Sequence, residues 1–195
     1  MTLRIIYFSL CVLVLAGLVH VAIVLLIPVY GTRDAYALLT QQTEMLGFKP
    51  IPYGENGPLA ETDPFFAYGV CRFELVDQGV AIRGPRIDSF WSATIVDENG
   101  SVVYSLNSRS AIDSRLDLLI LNPIQILGLR EVQPPEIENS IVVESEMRAG
   151  FAVIRVLRPD DSWADRARAF LEGITCSAYV PAPALPPQPP AAVTQ

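Results

Sequence analysis

From Ile5 to Tyr30 the chain carries no charged residue, and between Ile5 and Ile27 sixteen positions are Leu, Ile, Val or Phe. About 20 apolar residues suffice to cross a bilayer as a helix, which satisfies every backbone polar group where no water can reach. At roughly −0.3 to −0.6 kcal/mol per such residue, the run favours insertion by several kcal/mol. It exceeds the core of a cleaved signal peptide, and its small residues Ala16, Gly17 and Ala22 are followed by more apolar sequence. The expectation is an uncleaved signal anchor over residues 1–30. Basic residues are nearly balanced around it, Arg4 before and Arg33 and Lys49 after. A four-residue head ahead of a long soluble part favours the head-in arrangement, with the bulk outside the cytoplasm. His20, the only histidine, lies inside the run. An ionisable group there is either functional or a neutral imidazole bonded to a neighbouring helix or headgroup water. Without an acidic partner in the span, the neutral imidazole is the better reading.

The chain as a whole is acidic. Thirteen Arg and one Lys stand against 21 acidic residues, a net charge of −7, so no basic field attracts nucleic acid. Residues 31–64 read as an amphipathic helix and a loop. Tyr36, Leu39, Thr43 and Leu46 recur at a helical interval over 33–46, Gly47 supplies the stop, and Pro28 and Gly31 break the helix from the span. Residues 48–64, with four prolines, read as irregular.

Residues 65–180 form the expected β-rich domain. Three hairpins fit the pattern. A turn at Gln78-Gly79 sets Leu75 opposite Ile82 and Glu74 opposite Arg83. A turn at Asn99-Gly100 sets Ile95 opposite Tyr104, Ala93 opposite Leu106, Thr94 with Ser105, Ser92 with Asn107, and Phe90 with Arg109. A turn at Ala149-Gly150 sets Val143 opposite Val156 and Glu144 opposite Arg155. Leu116–Leu121 reads as a buried strand, and Asn122-Pro123 opens a short helix toward Arg130. Asp161 or Ser162 caps a helix through Glu172, stopped by Gly173. The fold class expected is mostly β, an α+β chain: about seven strands in an antiparallel sandwich or barrel, with two or three flanking helices. Residues 181–195, rich in proline, read as an extended disordered tail, with recognition by a proline-binding partner as a lesser reading.

The residue inventory narrows the chemistry. With no histidine beyond residue 20, neither a Ser-His-Asp nor a Cys-His arrangement is available to the domain, and imidazole zinc sites are excluded with them. There is no glycine-rich phosphate loop, dinucleotide fingerprint or G-x-S-x-G elbow, so no catalytic residue, cofactor or metal is expected. Glu144 and Glu146, two apart on a strand, stand about 7 Å apart within reach of acid–base work, but a solvated edge fits them better. Cys71 and Cys176 are the two cysteines outside the span: a disulfide in an oxidising compartment, or two separate buried thiols. Arg109, on the wetter side of the ladder beside Asn107 and facing Phe90, is the candidate for an anionic group or a ring, or else ties a loop through carbonyls.

Cys71-Arg72-Phe73-Glu74-Leu75, then Phe90-Trp91-Ser92 through Val96-Asp97, then Tyr104 through Arg109 resemble the domain-of-unknown-function family 1254, with Trp91, Asp97, Gly100 and Arg109 at the matching positions. The likeness covers roughly residues 63–157. It implies a bacterial envelope protein without an assigned reaction, similar to small membrane-anchored members of alphaproteobacteria. In some members a second domain of family 1214 follows, and this chain departs in carrying only a helix and the tail. The function expected is a single-pass inner-membrane protein presenting a binding or interaction domain to the periplasm, its partners the bilayer and a possible second membrane protein. The alternatives are an enzyme or small-ligand pocket using carboxylates and arginine, or an accessory subunit of a membrane complex.

Overall fold

The computed structural model describes residues 2–52, 63–132 and 134–180. The proline-rich tail and much of the loop expected over 48–64 lie outside them. Helix α1 runs Thr2–Gln42, and its Thr2–Ile27 part is long and apolar enough to cross a membrane. Nine strands follow: β1 Phe48–Ile51, β2 Phe66–Glu74, β3 Gly79–Arg86, β4 Trp91–Asp97, β5 Val102–Asn107, β6 Arg115–Leu121, β7 Ile141–Glu144, β8 Ala149–Leu157 and β9 Thr175–Tyr179. Two further α-helices, α2 Pro123–Val132 and α3 Ala164–Glu172, flank them.

The strands make a sandwich. Sheet A has the order β1-β2-β8-β4-β5, and sheet B the order β7-β6-β3-β9. Alternation decides which side chains meet between them. Cys71, Phe73, Trp91, Ala93, Ile95, Ala152, Ile154 and Val156 of sheet A face Val80, Ile82, Leu116, Leu118 and Ile120 of sheet B in one core. The other face of sheet B is also dry, because Ala81, Leu119 and Leu121 pack under Ile126 and Leu129 of α2. Two-sided burial explains why β6 reads as an almost unbroken apolar run. Phe170 of α3 stacks on Trp91 at 6.5 Å and closes a flank of the core. A disulfide joins Cys71 in β2 to Cys176 in β9, tying the two sheets together with Cα atoms 6.3 Å apart.

Several local expectations hold. The second hairpin has the expected register, from Ser92 opposite Asn107 to Ile95 opposite Tyr104, with a shift before Val96 opposite Val102. Its turn is drawn in by Asp97, whose Oδ1 accepts from the amides of Asn99 and Ser101, and Gly100 takes φ 80°. Helix α2 opens on a reciprocal cap. The Gln125 amide donates to Asn122 Oδ1 at 2.8 Å and the Asn122 amide to Gln125 Oε1 at 2.9 Å, with Pro123 at the first helical position.

Other expectations are corrected. The hairpins at Gln78-Gly79 and Ala149-Gly150 do not form: β2 and β3 lie in different sheets, and so do β7 and β8. Neither glycine has a positive φ. Each instead admits a close neighbour, since a Cβ on Gly150 would stand 2.4 Å from the Val96 carbonyl oxygen and one on Gly79 2.2 Å from Leu121 Cδ2. Glu144 therefore sits opposite Leu121 in a parallel β6–β7 pair, far from Arg155 in register. Strands β1 and β9 raise the count from seven to nine; β1 takes up Phe48–Ile51 of the expected loop despite Pro50, on the sheet edge where a missing amide is tolerated. Helix α1 passes through Pro28 and Gly31 without a break and ends at Gln42, not Leu46. Pro28 forfeits one amide donor, and the helical ladder on either side carries the chain through it. The cap near residue 160 is Asp160, whose carboxylate accepts from the Ser162 amide ahead of a 3-10 turn, Asp161–Trp163.

One turn is strained. Before β6, Asp113 and Ser114 both take φ 53°, a left-handed conformation that costs non-glycine residues on the order of 1–3 kcal/mol each. The Trp91 indole Nε1 holds it by donating to the Ser114 carbonyl at 3.1 Å.

Candidate functional site

The face of sheet A turned away from the core carries one polar row. Its members lie directly opposite one another across four strands: Tyr68 on β2, Arg155 on β8, Ser92 on β4 and Asn107 on β5. Their neighbours Ala67, Val156, Ala93 and Leu106 point inward to the core, so the pleat sends the row outward. Arg155 is the centre. Its Nε donates to the Ser92 hydroxyl at 2.7 Å, and its guanidinium carbon stands 5.2 Å from the centre of the Phe66 ring. Ser92 is buried, so this bond fixes the arginine from below, while Arg155 itself is exposed. Phe90 meets Phe66 edge-on at 6.4 Å, and Phe66 lies 6.5 Å from the Tyr68 ring.

Burial, and after it the Asp63 carboxylate, pushes the Tyr68 hydroxyl above the usual phenol range, against the lowering influence of Arg155. Tyr68 is thus a neutral donor near neutral pH. An arginine braced through Nε, beside two phenylalanines and a phenol, offers a flat cation for a carboxylate or phosphate and aromatic faces for a ring.

The singled-out residues divide. Phe90 and Asn107 belong to this face. Arg109 does not: the ladder stops at Ser92 and Asn107, the Ser108 amide turns back to the Trp91 carbonyl at 2.9 Å, and the Arg109 amide donates to Asn107 Oδ1 at 2.9 Å. Asn107 is a turn-former on its carbonyl side, and Arg109 is an exposed turn residue. Arg155 takes the place expected of it. The signal for Arg155 lay in the alternation of β8, but its partner strands are distant in sequence. Phe66-x-Tyr68 at period two also marked the face. His20 and Cys11 are exposed on α1. Glu144 and Glu146 do not share a strand as expected: Glu144 is the last residue of β7 in sheet B, and Glu146 lies in the connection that follows, both exposed and away from the row. Among the described residues no cluster of three His, Cys, Asp or Glu gathers to hold a metal.

A groove of about 510 Å3 lies elsewhere, between the end of β3 and α3, with Pro85, Ile87, Trp163 and Phe170 in its walls. Arg166 covers the Trp163 ring at 5.0 Å.

No family model and no curated protein matches the chain. Solved structures do. The VPA0106 protein from Vibrio parahaemolyticus is similar with a TM-score of 0.55 and 10% identity, over 86% of this chain and 42% of its own. An uncharacterised protein from Burkholderia cenocepacia gives a TM-score of 0.41 and 14% identity, over 66% of this chain and 34% of its own. The chain therefore spans about two fifths of the length of the Vibrio protein, and the likeness is one of fold.

Proposed function

We propose that the chain is a single-pass protein of the bacterial inner membrane, similar to family 1254, whose sandwich acts as a binding module on the periplasmic side. One observation carries the reading: the apolar stretch Thr2–Ile27 exposes its side chains throughout, and the same helix runs on to lay Tyr36 against Phe151 of sheet A at 5.1 Å. An exposed apolar surface of that length needs lipid around it. The disulfide supports the side assigned, since such bonds persist in oxidising compartments. The Arg155 face supports recognition, because its side chains bind and orient.

The experiment is a pair of reporter fusions after residue 180, one active only outside the cytoplasm and one only inside, with carbonate extraction of the untagged chain. The external reporter should be active and the chain should stay in the pellet. An active internal reporter, or release by carbonate, sinks the reading. A second reading, an accessory subunit, draws on His20, a polar group in the middle of the apolar run. Replacing His20→Leu should then dissociate a co-purifying membrane partner, and unchanged assembly removes it.

A further inference from the structure

On the outer face of sheet B the apolar cover stops short. Under α2 the face is Ala81 and Leu119, which lie opposite each other; two residues along, the opposed pair is Arg83 and Asp117. A recess of about 230 Å3 opens at this point, with Arg115, Asp113 of the strained turn and Asn139 also among its lining residues.

The local backbone is shaped around this recess. Register between β3 and β6 slips after Arg83, so that Arg86 comes to stand opposite Arg115. Bulges of this kind redirect side chains. The left-handed pair Asp113 and Ser114 turns the chain just before Arg115 and places Asp113 at the rim.

The charges are only partly used. Asp117 Oδ1 accepts from the Ser140 hydroxyl at 2.9 Å and meets Arg83 Nε at 3.4 Å, and Arg83 makes that contact through Nε alone. Arg86 turns to Asp88 at 3.7 Å. Arg115, facing a like charge across the ladder, has no ion-pair partner among the described residues, and Asp113 shares the recess without pairing to it. Like charges set directly opposite repel, and a bound anion relieves that repulsion.

We propose that this recess binds a small solute carrying a carboxylate and, a few atoms away, an amino or hydroxyl donor: the amino-acid and hydroxy-acid class. The carboxylate goes to Arg115 and the terminal nitrogens of Arg83, and the donor to Asp113 and Asn139. Two arginines against two aspartates leave the site neutral overall, which suits a ligand with separated charges better than a phosphate dianion. At about 30 Å3 per water, the recess has room for about eight, more than a small free amino acid needs. Ile112, an exposed side chain among the lining residues, supplies an apolar wall for the ligand's side chain.

This gives the binding-module reading a ligand class and rests on it, but not on the membrane orientation, so binding and reporter fusions fail separately. The test is titration calorimetry on the full chain in detergent with glycine, alanine, serine, lactate, acetate, ethanolamine and inorganic phosphate. An amino or hydroxy acid should bind, ahead of acetate, ethanolamine and phosphate. Arg115→Ala should weaken it about tenfold or more. Asp113→Asn, which keeps a residue tolerant of the left-handed backbone, should erase the preference over acetate. Both side chains are exposed, so the melting temperature of each variant should match the parent's; should Arg115→Ala fail to fold, Arg115→Gln takes its place. No binding below about 10 mM, tighter binding of phosphate than of any amino acid, or unchanged affinity in the Arg115 variant overturns the proposal.

Discussion

Cutting the link between the two sheets gives the most discriminating measurement. Cys71 and Cys176 are 105 positions apart. In the chain-entropy account a closed loop of that length stabilises the folded state by about 4.7 kcal/mol, an upper bound because real unfolded chains keep residual structure. Over the roughly 130 residues of the sandwich, at about 2.1 cal/mol/K each, the corresponding fall in melting temperature is at most about 17 °C. The assay is thermal unfolding of the full chain in detergent, followed by circular dichroism, for Cys71→Ala, Cys176→Ala and the double variant. Either substitution alone opens the loop, so the two single variants and the double should melt within a few degrees of one another. Reductant should lower the parent's midpoint and leave theirs in place. Two independent buried thiols behave otherwise: each truncation costs its own small cavity, the losses add, and reductant does nothing. Additive losses, or a parent indifferent to reductant, would refute the reasoning.

Three further outcomes are expected. Gly150→Ala should destabilise by about 2 kcal/mol or more in urea titration, because its Cβ meets the Val96 carbonyl oxygen at 2.4 Å, whereas Gly128→Ala, with open space around it in α2, should stabilise by about 0.5–1 kcal/mol; the same sign for both would contradict the close approach. Trp91→Phe removes the donor to the Ser114 carbonyl and should cost about 1–3 kcal/mol, visible as a lower urea midpoint. The Ser162 hydroxyl and amide hold the Asp160 carboxyl below the usual range, so its stabilising effect is present above the unfolded value of about 3.9 and is lost as pH falls through the folded value; amide exchange at Ser162, in the turn ahead of α3, should quicken there, and Asp160→Asn should remove that pH dependence.

What could be read from the residues follows contact range. The Ser92–Asn107 hairpin needed only Asn99-Gly100 and alternation on either side, all within sixteen positions. Leu116–Leu121 was legible as buried, and so was the capped start of α2, because those signals are local. The pairing of β2 with β8 was not, for its strands lie some eighty residues apart and nothing near Phe66 names Leu157 as a neighbour. Gly79 and Gly150 misled for a related reason. A glycine that makes room for a neighbour looks, in sequence, like one that turns the chain. The site suffered accordingly: Phe90 and Asn107 were visible on the correct face through their hairpin, while Arg155 could join them only once β8 was known to lie between β2 and β4.

The unbroken course of α1 fixes a clearance. Ile27, where the apolar run ends, and Tyr36, where the sandwich is first touched, are nine residues apart, about 14 Å along a helix. A stem so short works as a spacer bar: it keeps the outer face of sheet A near whatever plane holds Ile27 and denies it the free swing of a flexible tether.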